Sequence, residues 1–173
     1  MEDPNLLDSG FIEGEEKEII SSNNFVILYF VTFGIYGIWW MYKSWRFFQQ
    51  RDNLDIMPAL RAIFSIFFLY GLLERIQAFA HAKGYSNSYN SLVLFVGFIL
   101  LNLLARLPDP MWVISILAFV CLIPPFNALN YAMIHSEEIR ARERDGFNQR
   151  QLVLVILGIF MWFLVVIGLV FGE

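Results

Sequence analysis

A long uncharged stretch near the N-terminus constrains this chain more than any other feature. Residues Phe25–Tyr42 read FVILYFVTFGIYGIWWMY, eighteen residues without a charged side chain, and Lys43-Ser-Trp-Arg46 follows at once. As a single α-helix this run is about 27 Å long, which is close to the hydrocarbon thickness of a bilayer. Its exit carries two cations and the tryptophans Trp39, Trp40 and Trp45, as is typical of a helix that reaches a cytoplasmic membrane surface. The run therefore predicts a membrane protein and its first span.

The composition supports the same class of protein. The chain is 58% hydrophobic and 16% charged, whereas soluble domains are about 45–50% apolar and about 25% charged. With 173 residues it has room for one domain. Seven of its 16 acidic residues fall within the first 18 positions. We therefore expect an acidic polar tail over residues 1–24 and a single all-α transmembrane bundle over residues 25–173.

Five apolar stretches are candidate membrane crossings, and they differ in length. The second has 16 residues and contains Arg61, and the third has 14, whereas the last is an uninterrupted run of 20. In chain order the five stretches are Phe25–Tyr42, Pro58–Leu73, Ser91–Leu104, Met111–Met133 and Leu152–Phe171.

The positions of the cations favour one arrangement of these stretches. If all five cross, the 12 Lys and Arg residues divide seven to five between the two sides. If Pro58–Leu73 does not cross, ten fall on one side and only Lys17 and Arg106 on the other, which fits the positive-inside rule better. We therefore predict a polytopic helical bundle of four spans plus one interfacial or re-entrant helix, with both termini away from the cytoplasm. Five spans remain the alternative.

Two small groups of residues are candidates for contacts with partners or lipids. Gly34 and Gly37 lie on roughly one face of the first span, where small residues let two helices approach closely. They predict a docking face for a partner helix, or a contact within the chain. The cations Lys43, Arg46, Arg51 and Arg61 could hold anionic lipid headgroups, or they could serve only as snorkelling anchors.

The fourth stretch contains a polar segment with two consecutive prolines. Pro124 and Pro125 remove backbone donors, so they predict a kink or a break in the helix. Asn127 and Asn130 follow, and together with freed carbonyls they could bind an ion or a polar headgroup. Alternatively, the two amides bond to neighbouring helices or to the freed carbonyls.

The sequence offers no complete set of catalytic or cofactor-binding residues. It has no Ser-His-Asp set, no phosphate-binding glycine loop and no metal-spaced cluster. Residues Glu137–Arg142 match the EExxxR motif of CAAX-type intramembrane proteases, but no histidine follows His135 to complete such a site. A solvated helix rich in Glu and Arg explains this segment better. We therefore expect no enzyme activity, no metal and no cofactor.

The string Thr32–Lys43, TFGIYGIWWMYK, resembles the hallmark T-x-G-I-Y-x-I-Y/W-W-x-Y-K of an uncharacterised family of small bacterial inner-membrane proteins. Weaker similarity extends over most of residues 25–133. The resemblance implies a bacterial inner-membrane location and supplies no activity and no catalytic residues.

Taken together, these features predict a non-enzymatic integral membrane protein. We expect an accessory or scaffold subunit that docks to a larger membrane complex or binds lipid. The expected partners are membrane lipids and other membrane subunits or a second copy of the chain, and no nucleic acid. The alternative is an oligomeric channel or small-solute transporter that uses a proline-broken fourth helix.

Overall fold

A computed structural model describes residues 17–136, 141–144 and 146–171. The described residues are mostly helical, with two short strands and connecting loops, so the expected all-α class is confirmed. The elements in chain order are β1 (Lys17–Ile20), α1 (Ser22–Val31), α2 (Ile35–Asp52), α3 (Pro58–Ile63), α4 (Ser65–Ala82), α5 (Ser91–Leu103), α6 (Phe119–Ile134), β2 (Ala141–Arg144) and α7 (Gln149–Phe171). Short 3-10 segments extend α5 through Leu104–Arg106 and precede α6 over Met111–Ala118.

The long uncharged run forms a helical hairpin and not the single predicted span. The ring of Phe25 on α1 lies 6.1 Å from the ring of Tyr36 and 5.8 Å from that of Trp40, both on α2. In one straight helix these residues would be about 16 and 22 Å apart. The two helices therefore run in opposite directions, and the prediction of a continuous first span is wrong. We call α1 and α2 the first hairpin.

Local chemistry at residues 32–34 explains the turn. The Thr32 hydroxyl donates to the carbonyl of Leu28 (2.7 Å) and accepts from the backbone N–H of Tyr36 (3.0 Å). It therefore joins the end of α1 to the first turn of α2 and gives the Tyr36 N–H a partner. Phe33 and Gly34 have φ values of 52° and 88°. Glycine adopts such left-handed conformations without steric cost. A hydropathy profile does not reveal this turn, because every residue in it is uncharged.

The stretch Pro58–Leu73 also turns back. It is divided between α3 and α4, with Phe64 between them, and Pro58 opens α3 where its missing donor costs nothing. The Arg61 guanidinium on α3 lies 4.6 Å from the ring of Trp45 on α2 and 5.1 Å from that of Phe68 on α4. Helix α3 therefore runs back along α2, and α4 runs in the opposite direction to α3. We call α3 and α4 the second hairpin.

Two short parallel strands, absent from the sequence-based prediction, join distant parts of the chain. Lys17 of β1 is in register with Ala141 of β2, and Arg144 Nη1 lies 2.7 Å from Glu18 Oε2. The strands lead into α1 and α7, which pack against each other. We call this end of the bundle the strand end. A solvated helix was predicted for residues 137–142, but Ala141–Arg144 is a strand, and residues 137–140 lie outside the described ranges.

Three segments run the length of the bundle. The segment from Met111 to Ile134 is antiparallel to α1, since Phe126 stacks on Phe25 (ring centroids 4.3 Å apart) and Trp112 lies beside Phe33 (6.3 Å). The other two are the stretch from Ser91 to Arg106 and α7. The turn Leu107–Pro110 therefore marks the opposite end of the bundle, which we call the far end.

The predicted membrane arrangement needs correction. Within the described ranges two helices are long and apolar enough to cross a membrane, Met111–Ile134 and Gln149–Phe171, whereas Ser22–Val31 and Ser91–Arg106 are shorter apolar helices. Four or five spans are therefore not supported. The expected position of Lys17 opposite Arg142 and Arg144 is also wrong, since β1 pairs with the strand that carries those two arginines.

Candidate functional site

The described cations are gathered at the strand end. Arg106, next to the far-end turn, is the one exception among eleven described Lys and Arg residues, and Arg140 lies outside the described ranges. The ten in the strand-end half are Lys17, Lys43, Arg46, Arg51, Arg61, Arg75, Lys83, Arg142, Arg144 and Arg150. The predicted ten-to-two division thus becomes ten to one for the described residues, because Lys17 joins the majority.

Two of the four candidate headgroup cations are accessible on one face of α2. Lys43 and Arg46 are three residues apart, so they lie on the same side of the helix, and both are exposed. The Lys43 ammonium sits 5.7 Å from the centre of the Trp39 ring. Arg46 makes no ion pair or ring contact with the described residues. Ile35 and Trp39 continue the same exposed face towards the far end as an apolar surface.

The other two candidate cations are engaged within the chain. The Arg51 guanidinium lies 4.0 Å from the ring of Phe79 and 3.8 Å from the carboxylate of Asp52. Arg61 lies between aromatic rings as described above and is only half-exposed. Cation–π contacts of this kind stabilise by about 0.5–1 kcal/mol at exposed sites. The predicted four-cation set therefore divides into an accessible pair, Lys43 and Arg46, and a structural pair.

Both candidate docking glycines serve the first hairpin. Gly34 forms its left-handed turn. Gly37 is buried, and a Cβ atom there would lie 2.5 Å from Cε2 of Tyr29 and 3.4 Å from Cδ1 of Leu122. The surface of Gly37 is thus covered by this chain's own side chains, so of the two alternatives left open by the sequence the contact within the chain applies.

The proline segment does not break its helix. A kink or a break was predicted at Pro124 and Pro125. Helix α6 continues through both prolines to Ile134, so the break does not occur. Asn127 accepts a hydrogen bond from the Ser22 hydroxyl, and Asn130 Nδ2 donates to the carbonyl of Ile20 at 3.0 Å. The two amides therefore fasten the start of the first hairpin to α6, as in the alternative that gave them neighbouring partners.

A cavity of about 330 Å³ lies where the turns of the two hairpins meet α5. It is lined mainly by apolar side chains, and its polar lining residues are Tyr29, Ser65, Asn102 and Arg106. Tyr29 is only 3% exposed. Its hydroxyl has no hydrogen-bond partner within the described ranges. Since no fully buried polar side-chain atom among the described residues lacks a partner, the Tyr29 hydroxyl is not fully buried. The hydroxyl therefore opens onto the cavity that Tyr29 lines.

Sequence reasoning missed this cavity. Tyr29 and Ser65 are ordinary members of apolar stretches, and only the two turns bring them together. The glycine and threonine in TFG were the available signal, because such a pair inside an apolar run can mark a turn. Among the described residues no cluster of His, Cys, Asp or Glu could hold a metal ion.

The chain matches no protein-family model, no curated protein and no solved structure. The resemblance to the inner-membrane family therefore stays a prediction.

Proposed function

We propose that this chain is a non-enzymatic integral protein of a bacterial inner membrane that binds anionic lipid headgroups at its strand end. The observation that carries the proposal is the position of the cations. Ten of the eleven described Lys and Arg residues lie in the strand-end half, around a bundle whose sides are apolar. Basic clusters beside an apolar belt attract anionic lipids of the cytoplasmic leaflet.

The exposed apolar surface supports the membrane location. Helix α7 has a mean hydropathy of 3.1 in its most apolar stretch, of which only 6% is buried. Phe67 on the second hairpin is 73% exposed. Soluble monomers rarely expose apolar patches of more than a few hundred Å². Lipid acyl chains would cover these side chains, so that their apolar surface would not be exposed to water.

The cation count also supports an orientation with the strand end in the cytoplasm. In this arrangement α5, α6 with its 3-10 extension, and α7 cross the bilayer. Both hairpins enter from the cytoplasmic side and return to it. Such re-entrant segments are tolerated where protein buries their irregular backbone, and at the first turn the rings of Trp112 and Trp162 lie against Phe33.

Lipid binding has more support than the accessory-subunit or transporter alternatives. The docking hypothesis relied on Gly34 and Gly37, whose contacts lie within the chain. The transporter hypothesis relied on a broken fourth helix, and α6 is continuous. Lys43 and Arg46, in contrast, present two charges side by side at the edge of an apolar surface.

Native mass spectrometry of the purified protein in detergent tests the proposal. Phosphatidylglycerol and phosphatidylcholine would be titrated against the wild type and a Lys43→Gln, Arg46→Gln double variant. Each cation near a headgroup contributes about 1 kcal/mol. The double variant should therefore hold phosphatidylglycerol at this pair of positions roughly 30-fold more weakly, with no change towards phosphatidylcholine.

A variant that exchanges the two cations, Lys43→Arg with Arg46→Lys, is the matched control. It keeps both charges and should retain the affinity for phosphatidylglycerol. Equal binding of the two lipids by the wild type, or an unchanged affinity in the Gln variant, would contradict the proposal.

A further inference from the structure

The cavity at the hairpin turns lies at the other end of the bundle from the accessible pair Lys43 and Arg46. Its lining combines Phe33 and Gly34 of the first turn with Ser65 and Ile66 of the second. At about 330 Å³ it falls at the lower end of the range for ligand sites, about 300–1,000 Å³. Arg106 brings to it the one cation at the far end among the described residues.

Three of the four polar side chains of the cavity are donors without a described hydrogen-bond or ion-pair partner. The hydroxyls of Tyr29 and Ser65 make no hydrogen bond within the described ranges, and Arg106 makes no ion pair there. Asn102 uses its amide N–H to bond the carbonyl of Phe98 (2.8 Å). A ligand for this site therefore presents acceptor oxygens to the hydroxyls and a negative charge to Arg106.

The rim of the cavity indicates where the ligand comes from. Ile35, Ile66 and Leu103 line the cavity, and all three are exposed on the apolar sides of the bundle. In the proposed membrane arrangement this rim faces acyl chains. A lipid reaches it by lateral diffusion, whereas a ligand from water would first have to enter the acyl region. The occupant that fits is an amphiphile with one chain in the apolar part of the cavity.

We propose that the cavity bounded by Tyr29, Ser65 and Arg106 binds one anionic glycerophospholipid of the leaflet at the far end. Its phosphate pairs with Arg106, an ester carbonyl accepts from the Tyr29 or Ser65 hydroxyl, and part of an acyl chain fills the apolar lining. This site rests on the proposed membrane location, but it is separate from the strand-end cations.

The test uses the Lys43→Gln, Arg46→Gln protein, so that lipid held at the accessible pair does not obscure the cavity. Native mass spectrometry should show one phosphatidylglycerol bound to this background. Adding Arg106→Gln should weaken that binding roughly tenfold or more, and adding Tyr29→Phe roughly threefold to tenfold. Tyr29→Phe keeps the ring that packs on Gly37 and removes only the hydroxyl.

A second variant fills the cavity. Ser65→Leu places an apolar side chain where the hydroxyl was, and because no described group bonds to Ser65, folding should survive; binding should be lost. Tyr42→Phe is the matched control, since Tyr42 is half-buried, lies outside the cavity lining and makes no hydrogen bond within the described ranges. It should bind like the background.

The outcomes separate this site from the strand-end proposal. If the background protein binds no phosphatidylglycerol while the wild type does, the cavity proposal fails and the strand-end proposal stands. Unchanged binding in Arg106→Gln and Ser65→Leu also overturns the cavity site. If inorganic phosphate displaces the lipid at the same concentration as phosphatidylglycerol does, the site takes a free anion and the acyl-chain assignment is wrong.

Discussion

At the scale of single residues, Gly37 has no room for a side chain. A Cβ atom would lie 2.5 Å from Tyr29 Cε2, and the Tyr29 ring is itself held near Phe25 and Phe119. Overpacking of this kind costs about 1–3 kcal/mol, and the better helix propensity of alanine offsets at most about 1 kcal/mol. We expect Gly37→Ala to lower the thermal unfolding midpoint of the protein in detergent.

Gly71 supplies the matched control for this substitution. It lies inside α4, and apart from its chain neighbours and the adjacent backbone of its own helix no described atom is within 4 Å of the position that its Cβ would occupy. Gly71→Ala should therefore leave the midpoint unchanged or raise it. Equal losses at the two glycines would show that the contact with Tyr29 is not what constrains Gly37.

The hydrogen bond between Ser22 and Asn127 can be measured by a double-mutant cycle. It joins α1 to α6 across 105 residues of sequence. We expect Ser22→Ala and Asn127→Ala each to destabilise the protein and the double variant to lose less than their sum. Interhelical hydrogen bonds in membrane proteins give coupling energies of about 0.6 kcal/mol on average. Strictly additive losses would remove this bond from the explanation of how the first hairpin is held.

Single residues show how far the sequence could predict the site. Lys43 and Arg46 were identifiable because their position after an apolar run is a local property. The sequence did not identify the hydrogen-bond partners of Asn127 and Asn130, because those partners lie on the β1–α1 segment, more than 100 residues away. Nothing in the sequence around Tyr29 indicated a binding site. Whether its hydroxyl has a hydrogen-bond partner depends on which groups the fold brings near it.

At the scale of elements, the contact between α1 and α7 depends on one glycine. A Cβ at Gly158 would lie 2.4 Å from the carbonyl oxygen of Val31. Beyond it, Trp162 stacks on Phe30 and Phe33, and its indole N–H donates to the carbonyl of Phe30 (3.1 Å). We expect Gly158→Ala to push α7 away from α1, to lower the unfolding midpoint and to shift the tryptophan fluorescence of the protein, to which Trp162 contributes.

Gly168 tests whether this effect is specific to the contact. It lies in the same helix, and apart from its chain neighbours and the adjacent helix backbone no described atom is within 4 Å of its Cβ position. Gly168→Ala should keep both the midpoint and the fluorescence of the wild type. The prediction for Gly158 is wrong if the two variants behave alike.

The elements also explain why the hydropathy-based reading was incomplete. Length and composition identified the stretches Met111–Met133 and Leu152–Phe171, which lie within the two long apolar helices, because each is one apolar segment without a turn. They misread Phe25–Tyr42, because the same eighteen uncharged residues suit either a span or a hairpin. The Thr32 hydroxyl bonds and the left-handed Gly34 decide between the two. Strands β1 and β2 are four residues each and depend on pairing across the chain, which no local pattern contains.

At the scale of the whole molecule, the two hairpins change which residues share a side of the membrane. Glu18, Gln50 and Asp109 are exposed and belong to β1, α2 and the far-end turn. The fold puts Glu18 and Gln50 at the strand end and Asp109 at the other. Four spans with an interfacial helix would pair Glu18 with Asp109, whereas five spans would pair Gln50 with Asp109.

Cysteine labelling distinguishes these three arrangements in one experiment. Glu18→Cys, Gln50→Cys and Asp109→Cys would each be made in a Cys121→Ala background, which removes the single native thiol. The Glu18 ion pair with Arg144 is exposed, so its loss should cost at most about 1 kcal/mol. In intact cells a membrane-impermeant maleimide should label only the Asp109→Cys protein, and inverted vesicles should show the reverse. Labelling of Glu18→Cys together with Asp109→Cys would restore the four-span arrangement, and labelling of Gln50→Cys with Asp109→Cys would restore the five-span one.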